Sequence, residues 1–154
     1  MLKDWINERE RGERGLSPIY EASRLGNLAI IRTLVKYGAD YSGASGSNVK
    51  RMSVMHSAAI GNQAVSMVYF QQKGLDLDWA DIDGCTPLHY AADAANEGIS
   101  CFLISQGAYI DAKDKDGNTA MHVAMLNFRQ VRSIRLVKKL LLNGASRNIV
   151  NKDE

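Results

Sequence analysis

Asp83-Gly84-Cys85-Thr86-Pro87-Leu88-His89-Tyr90-Ala91-Ala92 decides how this chain is read, because most of it returns one period later. The second copy is Asp116-Gly117-Asn118-Thr119-Ala120-Met121-His122-Val123-Ala124. His56, His89 and His122 stand 33 residues apart, and around His56 the phrase is blurred to Ser53-Val54-Met55-His56-Ser57-Ala58-Ala59. An earlier copy reads Ser17-Pro18-Ile19-Tyr20-Glu21-Ala22, with Tyr20 in the histidine's place. The copies close on Gly38, Gly74, Gly107 and Gly144. A fixed period of this length marks an array of one small unit rather than a single mixed fold.

The residues of one unit set its local structure. Thr86 is a helix N-cap whose hydroxyl can accept from first-turn amides, and Pro87 fills the first helical position, where a missing N–H costs nothing. Ala91 and Ala92 keep that helix thin enough for a second to pack close. Asn96 to Gly98 break the chain, and a second helix runs through Ile99, Phe102, Leu103 and Ile104 to Gly107, the left-handed residue expected just past a helix end. Asp81 to Gly84 make a tight turn. Such a unit is too small to bury its own apolar face, so stability has to come from stacking on its neighbours. The 33-residue period with its Thr-Pro-Leu-His-x-Ala core resembles the ankyrin repeat over roughly residues 16–150. That resemblance implies an all-α solenoid of helix-turn-helix units joined by β-turn fingers.

Departures from the period locate the boundaries. Residues 1–15 read as an N-terminal leader, and the repeats fall at about 16–47, 48–80, 81–113 and 114–150. Gly38 to His56 is 18 residues where the later fingers span 15, and Ser42-Gly43-Ala44-Ser45-Gly46-Ser47-Asn48 has the composition of a loop. His122 to Gly144 is 22 residues against 18 elsewhere, so the last helical pair carries four extra residues, expected near Phe128 to Ser133. Asn62 and Ala95 stand where glycine would follow a first helix. Asn151-Lys152-Asp153 aligns with Asp114-Lys115-Asp116, so 151–154 is expected to open a truncated further repeat.

At 154 residues with 45% apolar content, the chain has enough core for one domain of four units. It has neither an apolar run of membrane-spanning length nor a secretory-type start, so a cytoplasmic or nuclear location is expected. A monomer is expected as well. Cys85 and Cys101 read as thiols. Net charge is +2, but residues 16–127 hold 8 basic and 11 acidic residues while 128–154 hold 7 and 2. Acids crowd the fingers (Asp76, Asp78, Asp81, Asp83, Asp111, Asp114, Asp116), and Arg129, Arg132, Arg135, Lys138 and Lys139 ride the last outer helix.

Catalytic and metal readings fare poorly. Histidines one repeat apart point the same way from successive layers and are too distant to share an ion, so His89 is expected to bond Thr86, and His122 to bond Thr119. The aspartates do not keep calcium-loop spacing, and neither a phosphate loop nor a nucleophile elbow occurs. No catalysis, cofactor, metal or nucleic acid is expected. Arg132, Arg135 and Lys139 form a basic stripe opposite Ile134, Val137, Leu140 and Leu141. It reads as a solvated helix face, with contact to acidic lipid or protein as the alternative.

The concave groove lined by fingers and first helices is the better candidate, since its positions contribute little to stacking. Trp79, Ile82, Cys85 and Tyr90 project from one finger and its following helix, Lys113, Lys115 and Asn118 from the next, and Ile60 and Asp93 complete the patch. The acidic fingers favour a neutral or basic protein or extended peptide.

Three stretches are similar to the cytosolic ankyrin regions of Asp-His-His-Cys palmitoyltransferases. They are Ser17 to Gly26, Met55 to Asp76 and Arg132 to Ile149. The resemblance implies recruitment of substrate proteins, with an extended segment held against an aromatic that follows the repeat histidine. Tyr90 occupies that position. Ser57 stands there in the second unit, and Gly61 brings no side chain to where a polar residue would clamp the peptide. On this reading a membrane is reached only through a missing part of the parent protein, the location is the cytosolic face of that membrane, and the piece itself is inactive.

Overall fold

In a computed structural model the chain is described at residues 6–7, 17–42, 50–131 and 134–152, with side chains of 128–131 left aside. The described residues form eight helices and no strand. They are α1 Pro18–Leu25, α2 Leu28–Lys36, α3 Val54–Ile60, α4 Ala64–Gln72, α5 Pro87–Asp93, α6 Glu97–Ser105, α7 Ala120–Val131 and α8 Arg135–Leu142. The fold is an all-α repeat solenoid. Its inner helices α1, α3, α5 and α7 pack successively on one another, and each is backed by the outer helix that follows it.

Alanine makes the inner stack possible. Ala58, Ala59, Ala91 and Ala92 are completely buried, and Ala22 and Ala124 nearly so. Around them Ile19, Met55, Leu88, Phe70, Leu103 and Leu140 fill one continuous core. The left-handed residues expected after the first helices are present, with Asn62 at φ 58° and Ala95 at φ 53°. Gly61, by contrast, is right-handed (φ −79°) and is glycine for a different reason. A Cβ there would lie 1.8 Å from the Arg24 carbonyl oxygen, so the end of α3 rests directly on backbone of the preceding unit.

The fingers are tied in a ladder. Asp81 N–H donates to Cys85 O at 3.0 Å and Asp114 N–H to Asn118 O at 2.9 Å, closing each turn. Ile82 N–H to Lys50 O, Lys115 N–H to Asp83 O and Lys152 N–H to Asp116 O, all 2.9 Å, join each finger to the one before it. Gly84 sits at φ +79°, and a Cβ on it would meet Asp114 Cα at 3.1 Å, so both conformation and approach call for glycine.

The last unit takes up extra residues by lengthening its first helix, since α7 has 12 residues against 7 in α5. Arg132 and Ser133, residues 43–49 of the long first finger and residues 153–154 lie outside the described residues. Most of the expected leader does too, but Ile6 is buried under the first unit. Asn7 accepts from Asp40 N–H at 2.9 Å.

Candidate functional site

Each repeat histidine is a two-sided joint. His89 Nδ1 accepts from Thr86 N–H at 3.1 Å and faces the Thr86 hydroxyl at 2.9 Å, while Nε2 lies 3.0 Å from Asn118 O in the next finger. A backbone N–H can only donate and a carbonyl can only accept, so the ring is the neutral Nε2–H tautomer. His56 repeats the arrangement with Ser53 N–H at 3.0 Å and Cys85 O at 3.1 Å. Thus Ser53 serves where threonine stands elsewhere, and the Thr86 hydroxyl, expected to cap first-turn amides, forms a capping box with His89 and also meets its imidazole. Burial lowers the pKa of both His56 and His89, partly opposed by the carbonyls they face and by Asp81. His122 bonds Thr119 in the same way, at 3.1 Å from its N–H and 2.9 Å from its hydroxyl.

The aspartates of the fingers are staples. Asp81, nearly buried, accepts from Asp83 N–H and Cys85 N–H through one oxygen, each at 2.9 Å, and from the Tyr90 hydroxyl through the other at 2.8 Å. Asp114 accepts from Asp116 N–H and Asn118 N–H, Asp78 from Tyr109 N–H, and Asp111 from Ser146 N–H. With Asp81 and Asp83 in one turn and Asp114 and Asp116 in the next, carboxyl groups are concentrated on the finger side. Lys50 and Lys152 answer Asp83 and Asp116 at 3.7 and 3.6 Å.

The predicted groove residues separate into two kinds. Tyr90 is half-buried. Besides its bond to Asp81, its ring meets His56 edge-on at a centroid distance of 5.2 Å, so it bridges two units and stands rigid between finger and inner helix. Its hydroxyl pKa is raised by burial and by the Asp81 bond. Trp79 is also half-buried and reaches back to donate to Arg51 O at 3.1 Å. The Cys85 thiol is pushed up to about 12, first by burial and then by Asp81, Asp114 and Asp83, so it stays protonated and unreactive. Asn118 is held at every polar atom, by Asp114, His89 and Asn151. The Ile60 carbonyl accepts from Asn96, and Asp93 accepts from Asn127 through both carbonyl (2.7 Å) and carboxylate (3.2 Å). Ile82, Lys113 and Lys115 are exposed at the finger tips.

Sequence reasoning passed over Asp81, the hub of its finger, and the asparagines that clasp one unit's inner helix to the next. The clasps are Asn96, which donates to Ala59 O and Ile60 O, and Asn127, which donates to Asp93 O; they follow His89 by seven and His122 by five residues, so no fixed spacing announced them.

The comparisons agree with this architecture. A model of three ankyrin-repeat copies matches residues 55–153, and a single ankyrin-repeat model matches 14–43. The chain belongs to the ankyrin-repeat family. Ankyrin repeats are noncatalytic protein-interaction modules. The chain is 32% identical over 142 residues to the putative palmitoyltransferase ZDHHC13 of Danio rerio, covering 91% of this chain and 21% of that protein. It is 31% identical to neurogenic locus notch homolog protein 2 of Homo sapiens over 91% of this chain and 6% of that one. Palmitoyltransferase Hip14 of Drosophila melanogaster is 31% identical over 68% of this chain and 16% of its own length. The ankyrin array therefore spans about a fifth or less of these relatives. None of the described helices is long and apolar enough to cross a membrane.

Proposed function

We propose that the finger side of the second to fourth units grips a neutral or basic segment of a partner protein. The rigid ring of Tyr90 would be its wall, with Trp79 and Ile82 beside it and Lys113 and Lys115 at the rim. The observation that supports this most is the fixing of Tyr90 by Asp81 and His56, which leaves a half-exposed aromatic already held in place. An anchor ordered before binding loses little entropy on association. Asp81, Asp83, Asp114 and Asp116 give the surroundings the sign that selects against acidic partners.

The test is a pull-down with the isolated chain followed by peptide mapping, repeated with Ile82→Asp and Lys113→Glu. Both side chains are exposed, and the Ile82 bond to Lys50 O is made by backbone that the substitution keeps, so these variants should melt with the parent and lose or weaken the captured segment. Undiminished capture by both would remove the finger side from consideration.

The likeness to two palmitoyltransferases over most of the array supports a narrower reading, in which the segment belongs to a protein to be S-acylated. Captured partners should then carry acylated cysteines on acyl exchange. Partners without them would refute the narrower reading and leave the broader one standing.

A further inference from the structure

The charges are sorted across the solenoid as well as along it. The outer helices carry Arg32 and Lys36 on α2, Lys73 at the end of α4, and Arg135, Lys138 and Lys139 on α8, against the single acid Glu97 on α6. The described aspartates all lie off the outer helices, in fingers, turns and inner-helix ends. Apolar residues are exposed on both sides, with Leu25, Ile82, Tyr109, Met125, Leu126 and Val150 lying away from the outer helices. Ile30 (49%), Tyr37 (52%), Val65 (53%), Val68 (39%), Ile134 (45%) and Leu142 (82%) all stand on outer helices or their caps.

The order along the back is as informative as the content. No charged residue occurs from Ala64 to Gln72 or from Gly98 to Ile110, so the middle two outer elements present uncharged, partly apolar surface. Cations flank it on both sides. Lys36 and Lys73 each lie 5.9 Å from the centroid of a tyrosine ring, Tyr37 and Tyr69, placing ammonium and aromatic together at the edge. An ordinary solvated back would mix both signs. An apolar strip with cationic margins and almost no acid is the pattern of a surface that lies on anionic headgroups, where valine, leucine and tyrosine enter the interface and lysine and arginine meet phosphate and carboxylate.

We propose that the outer-helix face docks on the anionic surface of a lipid bilayer, leaving the acidic fingers turned away from it. This does not rest on the finger-side binding proposed above. The purified chain should float with vesicles of phosphatidylcholine containing phosphatidylserine, and flotation should fall with added salt. Each cation close to an anionic bilayer strengthens partitioning by about fivefold, so Arg32→Glu with Lys36→Glu, or Lys138→Glu with Lys139→Glu, should weaken it by more than about tenfold. Val65→Ser with Val68→Ser should weaken it while circular dichroism and melting show the fold intact. Lys50→Glu with Lys152→Glu makes the same change in net charge on the fingers and should leave flotation unchanged. Equal flotation with pure phosphatidylcholine, or equal loss in the finger variant, would overturn the assignment. So would a wild-type chain that ignores vesicles at low salt but binds polyglutamate, which would mark the face as a site for an acidic protein.

Discussion

Gly61→Ala isolates one contact between the first and second units. The backbone at Gly61 is right-handed, so alanine can adopt it, and replacing glycine at a permissive site stabilises a protein by about 0.4–1 kcal/mol through the unfolded chain. Here the new Cβ would stand 1.8 Å from Arg24 O and 2.6 Å from Arg24 C, where real contacts do not fall below 3.0 Å. Both atoms are backbone at the end of α1 and cannot rotate aside, so the α1–α3 seam has to part by more than an ångström along part of its length. Overpacking of that kind costs about 1–3 kcal/mol or more, which leaves a net loss of roughly 2 kcal/mol after the glycine gain. For a chain of this size that is a fall in Tm of about 4–8 °C. Urea and thermal unfolding followed by circular dichroism measure it, with Gly98→Ala as the companion. A Cβ at Gly98 would meet only Asn62 Oδ1 at 3.7 Å, within α6, so that variant should gain up to about 1 kcal/mol. A Gly61→Ala protein as stable as the parent would show that the seam yields freely and that the stacking argument is wrong.

Other outcomes follow from the joints. His89→Ala removes the bonds to Thr86 and Asn118 from a buried site and should cost about 3 kcal/mol by urea denaturation; His122→Ala, in a less buried ring, should cost less. Tyr90→Phe keeps the ring but strips Asp81 of its hydroxyl donor, lowering stability by about 1–2 kcal/mol while leaving any capture that depends on the ring. Acid should loosen the array. His56 and His89 have depressed pKa values in the folded chain, so their contribution is complete above the unfolded value of about 6.5 and is lost as pH falls from there through the folded values. Tm measured at constant ionic strength should decline over that window, and a flat profile would contradict the burial of neutral imidazoles.

The repeating phrase carried the fold because Thr-Pro, Ala-Ala and the closing glycines each act within a few residues of themselves. Helix starts, thin inner helices and left-handed stops need no partner to be recognised. The site was less legible for the opposite reason. Tyr90 was visible as an aromatic beside the histidine, but that its hydroxyl turns inward to Asp81 depends on a finger nine residues earlier, and its meeting with His56 on the preceding unit. Trp79 likewise was read as projecting, whereas its indole is drawn back to Arg51 by a carbonyl no spacing rule exposes. Charge read along the chain showed a basic end. Sorting by inner and outer helix, which only the fold supplies, shows the basic back.

Ile6 beneath the first unit bears on how the protein is made. A core hydrophobe ahead of the first helix pair begins that unit's cover, and the second unit completes it through contacts such as the Tyr20 hydroxyl donating to Met52 O. Helical pairs then add to neighbours already in place, each gaining from the next the cover it lacks alone.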